Sequence, residues 1–196
     1  MMRRARVVIA TTLALSAGLL GAGAAYATGS TPATTPSPGS RCRGELTLPT
    51  HTNLPLMDTA VVCLIDRERV HYRLAPLTPN RDLQGIAWSL SREMAVAGYF
   101  GDDSLEGETP WQRISSSPYA WGAQTLYAAQ NIGWGTDGLA TPMGMVEEWM
   151  RSAPHRHIIL TSSYRDIGAG AEPVAPSRLT HEKPGATYAV EFAARG

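Results

Sequence analysis

The run AQNIGWGTDGLATPMGMVEEWMRSAPHR, residues 129–156, changes period partway along and decides the fold class. Asn131–Gly135 reads as a short strand closed by glycine. From Thr141-Pro142 onward the pattern is helical. A Thr hydroxyl can accept from free backbone N–H groups, and Pro at the first helical position needs no partner for the N–H it lacks. Met145 or Val146 with Trp149 and Met150 then makes an apolar face that ends near Ser152.

The same Thr-Pro signal occurs at Thr78-Pro79 and Thr109-Pro110. After the first, Leu83, Ala87, Leu90 and Met94 fall on one face of a helix ending near Gly98. After the second, Trp111 and Ile114 face inward on a short helix stopped before Pro118. An earlier helix, about Met57–Tyr72, turns Val61, Leu64 and Ile65 inward. The C-terminal part changes to strands. Asp166–Val174 is glycine-rich with small residues alternating, and Thr187–Ala193 alternates with Tyr188, Val190 and Phe192 inward. Helices first and strands later, with connections too short for parallel crossovers, predict a layered α+β domain with a small antiparallel sheet.

Charge is distributed unevenly. The chain of 196 residues carries 17 Lys+Arg and 17 Asp+Glu. Its first 27 residues hold Arg3, Arg4 and Arg6 and no acid, so the remainder is mildly acidic, which argues against a nucleic-acid partner. A basic start, the apolar run Val7–Ala25 and Ala25-Tyr26-Ala27 predict a secretory signal over residues 1–27, cut after Ala27. An uncleaved anchor is the alternative, weakened by Gly18, Gly21 and Gly23. No later stretch predicts a membrane span. Residues 28–40 (TGSTPATTPSPGS) have no large apolar side chain to offset the entropy of ordering, and predict a disordered linker. The domain proper is then 41–196, secreted or held at the cell envelope, and expected as a monomer. Two cysteines in an exported chain predict a Cys42–Cys63 disulfide, with two free thiols or an intermolecular pair as alternatives.

Five segments in order carry a resemblance. They are Asp66-Arg67-Glu68-Arg69, Leu74-Ala75-Pro76-Leu77, Met94–Phe100 (MAVAGYF), Ala129–Gly135 (AQNIGWG) and Glu148–Arg156 (EWMRSAPHR). Their order and spacing resemble the bacterial branch of the CAP superfamily, the SCP domain of cysteine-rich secretory proteins, antigen 5 and pathogenesis-related 1, over about residues 55–194. The resemblance implies a three-layer α/β/α sandwich, secretion, and a broad cleft with a metal- or lipid-related role.

That cleft usually holds two His and two Glu. By resemblance, the first His position is Asp102 here, one Glu position is Gln130, the other Glu position is Ser152, and only His155 is retained. The expected binding cleft is therefore Asp102, Gln130, Ser152 and His155, depleted of charge. No cofactor is implied, although Asp102 and His155 could contribute to a weak divalent-metal site. Zinc normally takes about three protein ligands, and a neutral Gln130 amide is a poor third. In the alternative to metal, His155 hydrogen-bonds Asp102 or Gln130 and braces the cleft. His157 could share a face with His155 only in an extended segment.

A hydrolase is the competing class. The chain has no Gly-x-Ser-x-Gly elbow, no Ser-x-x-Lys and no His-Glu-x-x-His. Ser152 with His155 is the available pair, against Ser152 as a helix-end residue. Asp102-Asp103, Glu106 and Glu108 lie in a turn where solvated surface is the default. Trp88, Trp134 and Trp149 are expected to pack, whereas Trp121 and Tyr127 are expected to be exposed. The preferred reading is a non-enzymatic binding module for a lipid- or sterol-like ligand or an envelope partner.

Overall fold

The computed structural model describes residues 9–10, 41–176 and 185–196. The expected leader, apart from residues 9–10, and the expected linker over 28–40 lie outside the described residues. Ile9–Ala10 (β1), inside the stretch expected as the leader, pairs antiparallel with Ala129 and Ala128.

Helix α1 spans Leu54–His71 and begins earlier than its apolar period suggests, because Pro55 sits in its first turn. Met57, Val61, Leu64 and Ile65 are buried along it. Cys63, on this helix, is disulfide-bonded to Cys42 with the two Cα atoms 5.8 Å apart. The bridge ties the start of the domain to α1, and closing that loop contributes roughly 3 kcal/mol in the chain-entropy model.

Thr78-Pro79 does not cap the next helix. It forms strand β2, pairing in parallel with Asp166 and Ile167. Its backbone groups are engaged by the sheet: Thr78 N–H donates to Arg165 O, and Asn80 N–H donates to Ile167 O. The cap passes to Asn80, whose side chain accepts from the Asp82 and Leu83 amides. Helix α2 then runs Arg81–Ala97 with Leu83, Ala87, Leu90 and Met94 buried, as the spacing predicts. It stops at Gly98, in the left-handed conformation at φ 71°.

The other two Thr-Pro signals hold. Thr109 and Gln112 form a reciprocal capping box on α3, Pro110–Ser115. On α4, Pro142–Arg151, the Thr141 hydroxyl accepts from Gly144 N–H. A further helix, α5 over Ala153–Ile159, occupies the segment left open by the sequence. Pro154 starts it, and Ile158 and Ile159 are buried with His155.

The long strands are β3 (Leu126–Thr136), β4 (Asp166–Glu172) and β5 (Gly185–Arg195). The order is β1-β3-β5-β4-β2, antiparallel throughout except for the two-residue β2–β4 contact. Helices α1, α4 and α5 cover one face, packing on Ala129, Ile167, Ala169, Tyr188, Val190 and Phe192. Helices α2 and α3 cover the other, on Ala128, Ile132, Ala189 and Ala193. The result is the expected α/β/α sandwich. Glycines on β4 make the second layer possible: a Cβ at Gly168 or Gly170 would collide with the α2 backbone at Leu83–Gln84 or Ala87–Trp88.

Trp149 is buried as expected and donates its indole N–H to Ile132 O at 3.0 Å. Trp88 departs from expectation. It is 46% exposed, because α2 meets the sheet through Ala87 and backbone and so leaves the next residue outward.

Candidate functional site

Strand β3 places consecutive residues on opposite faces. Gln130 shares the α2 face with Ala128 and Ile132, and Asn131 shares the α5 face with Ala129. The expected cleft residues are positioned from these two sides.

On the α2 face, Asp102 and Gln130 meet through Arg113 of α3. One guanidinium nitrogen of Arg113, Nη2, donates to Asp102 O at 2.6 Å and to Gln130 Oε1 at 2.8 Å. The other, Nη1, donates to Glu108 O at 2.6 Å. Directly across the β3–β5 ladder from Gln130 stands Glu191. It is fully buried, and neither carboxyl oxygen has a hydrogen-bond partner among the described residues. Burial pushes its pKa up to about 8. The neighbouring Arg113 charge acts in the opposite direction, and Asp102 adds to the rise.

On the α5 face, Asn131 Nδ2 donates to His155 O at 3.2 Å and anchors that helix. The His155 imidazole is 3% exposed, and neither ring nitrogen has a hydrogen-bond partner among the described residues. The hydrogen bond expected from His155 to Asp102 or Gln130 is therefore not made. Gln130 has Arg113 as its partner instead, and the backbone, not the ring, links His155 to β3. Burial lowers the His155 pKa below its ordinary value, with the nearby Glu148 charge opposing. Ser152 lies between α4 and α5, its N–H donating to Glu148 O and Trp149 O. Its side chain makes no capping bond to α5. His157 is on the solvent side of α5.

These residues do not suit a divalent metal. The Arg113 cation is hydrogen-bonded to both Asp102 and Gln130 and would repel the ion. Among the described residues, no three His, Cys, Asp or Glu side chains are arranged to hold one.

Two members of the polar cluster, Arg113 and Glu191, are absent from the sequence-based set. Glu191 alternates with the large apolar residues of β5 and so reads as solvent-facing. Yet β5 is buried on both faces. Its small neighbours Thr187, Ala189 and Ala193 were the available signal that a helix lies close on that side.

Helix α3, which carries Arg113, also contributes Trp111 and Ser115 to a groove of about 270 Å³. Ala120, Ala123, Leu126 and Tyr127 complete its apolar lining, and Gln124 and Thr125 add polar groups to that of Ser115. Tyr127 is 47% exposed, and Trp121, in the loop that flanks the groove, is 72% exposed, as the sequence suggested.

Comparison with known proteins places this geometry. Residues 63–181 match the model of the CAP family, described as the cysteine-rich secretory protein family. The chain is 28% identical over 134 residues to the uncharacterized protein YkwD of Bacillus subtilis (strain 168), covering 68% of this chain and 49% of that protein. It thus spans about half the length of this curated relative. In fold it is similar to an extracellular SCP-domain protein of Bacillus anthracis str. Ames, with TM-score 0.54, 20% identity, and coverage of 74% of this chain and 43% of that one. An outer surface protein of Borrelia burgdorferi matches with TM-score 0.55 and 18% identity, over 69% of this chain and 90% of that one. The α/β/α sandwich, the family match over more than half of the chain and the neighbours' fold agree: this chain belongs to the CAP, or cysteine-rich secretory protein, family.

Proposed function

We propose that the domain is an exported, non-enzymatic binding module for a lipid- or sterol-like ligand, taken up at the groove to which α3 contributes Trp111 and Ser115. The observation that carries this reading is the groove itself: an uncharged lining that mixes Trp111, Leu126, Ala120 and Ala123 with Ser115, Gln124 and Thr125, and the exposed rings of Trp121 and Tyr127 at its margin. Export is supported by the Cys42–Cys63 bridge and by the extracellular or outer-surface placement stated for the structural neighbours. No described helix is long and apolar enough to cross a membrane. The test is titration of the full chain with a fluorescent sterol and with a fluorescent fatty acid. Saturable binding should survive chelation and His155→Ala, and should weaken in Trp121→Ala and Tyr127→Ala. Absence of saturable binding to either probe counts against the module.

One observation favours a second reading. The His155 imidazole is buried, held towards its neutral form and without a hydrogen-bond partner, which are the properties of a resting general base. In that reading His155 acts with Ser152, and ester turnover abolished by either His155→Ala or Ser152→Ala is the expected signature.

A further inference from the structure

The hydrogen-bonding needs around Glu191 are specific. The Glu191 carboxyl, protonated below about pH 8, has an O–H to give and a carbonyl oxygen that requires a donor, and it is completely enclosed. Gln130, 1% exposed and directly opposite in the ladder, has its carbonyl oxygen engaged by Arg113, but its Nε2 has no partner among the described residues. Arg113 Nε likewise has none, although both terminal nitrogens of the same guanidinium are engaged. Buried polar groups left in this condition cost about 1–3 kcal/mol each, so they mark a position where a further atom belongs.

Arg113 grips Gln130, Gln130 is paired with Glu191 across the ladder and the Arg113 charge acts on Glu191, so the three are neighbours. Two N–H donors and one accepting oxygen match a hydroxyl, which has one O–H to give and two lone pairs to receive. An anion has no hydrogen to give and would leave the Glu191 carbonyl oxygen without a donor. A metal ion or an ammonium would face the Arg113 guanidinium and leave the Gln130 and Arg113 donors unanswered. We propose that Gln130, Arg113 and Glu191 form a receptor for a single hydroxyl oxygen, held by water in the resting protein and by the hydroxyl of a neutral ligand when the cleft is occupied. Of the three, only Arg113 is partly exposed, so the oxygen enters past its guanidinium. The inference rests on the binding-module reading for its ligand half, because it names the polar end of the ligand. The resting water is independent of it.

High-resolution crystallography of the full chain, with and without ethylene glycol as the hydroxyl probe, tests both halves. The expected result is an oxygen within hydrogen-bond distance of the Glu191 carboxyl, Gln130 Nε2 and Arg113 Nε, replaced by a glycol oxygen in the soaked crystal. Water that stays in place under glycol overturns the ligand half. A metal ion there, or direct Glu191–Arg113 contact with nothing between, overturns the whole. In solution, deuteron relaxation dispersion should count one long-lived water fewer in Glu191→Leu and the same number in the isosteric Glu191→Gln. An unchanged count in Glu191→Leu also overturns the proposal. Failure of sterol and fatty acid to bind would remove the lipid reading and leave this oxygen to be found or not on its own evidence.

Discussion

Arg69, on α1, donates from Nη1 to the carbonyl oxygen of Ile159, the last residue of α5, at 2.7 Å. The same guanidinium reaches Thr161 O at 2.9 Å and, through Nε, Ala75 O at 2.9 Å. Its side chain is 1% exposed, and the adjacent Asp66 carboxyl accepts from Leu77 N–H. One planar fork thus fixes three loop and helix-end carbonyls around the first helix.

Replacing Arg69 strands those carbonyls away from solvent. Arg69→Ala should lower stability by about 3 kcal/mol or more, since hydrogen bonds to a charged group contribute about 1.5–3 kcal/mol each. Arg69→Lys should recover only part, having the charge without the fork. The urea midpoint, with an unchanged denaturant slope, is the measurement.

The pH dependence of stability should be unusual. Burial raises the Asp58 pKa to about 7, that of Asp66 to about 6 and that of Glu191 to about 8. All three folded-state values lie above the ordinary carboxyl range near 4. Each group therefore favours folding most when both states are protonated. That advantage is lost as pH rises from about 4, where the unfolded chain ionises, through the folded values up to about 8. The thermal midpoint should fall between pH 5 and pH 9. Glu191→Gln should flatten the alkaline part of the fall, and an unchanged slope there would show that Glu191 is not the group responsible.

Gly168→Ala and Gly170→Ala should each destabilise by about 1–3 kcal/mol, the usual cost of overfilling a packed interface. The added methyl meets α2 backbone, which has no flexible end to move aside. Alanine at Gly107, where no atom lies near the added carbon, tests a different effect. Only the positive φ of 84° is penalised there. Calorimetry should rank both β4 variants below Gly107→Ala.

Reduction of Cys42–Cys63, or Cys42→Ser, should cost roughly 3 kcal/mol and leave the sheet and the α3 groove intact. Circular dichroism with a denaturant titration separates the two effects.

The sequence made the core helices legible because Leu83, Ala87, Leu90 and Met94 repeat at helical spacing, and tertiary packing uses that face. Thr109 and Thr141 were legible as caps because capping is local. Thr78 was not, since what claims its backbone is a strand nearly ninety residues away. Of the candidate site, Asp102 and Gln130 converge, yet the residue that joins them, Arg113, comes from α3, outside the segments that hold the other two, and has no motif of its own. Glu191 was hidden because a period of two identifies faces without saying which are covered. The helical state of His155 was equally hidden in a seven-residue segment that starts with Ala153-Pro154.

The eleven paired positions of β3 and β5 have a consequence for errors of alignment. A slip of one residue would exchange Gln130 for Asn131. The amide opposite Glu191 would be one methylene shorter than the one Arg113 grips, and Ile132, in the place of Asn131, would leave the His155 carbonyl without its anchor. The contacts on both faces of β3 would fail together. Insertions or deletions within residues 126–136 should therefore be far less tolerated than those in the exposed turn around Glu106 and Gly107, although both segments border the same cluster.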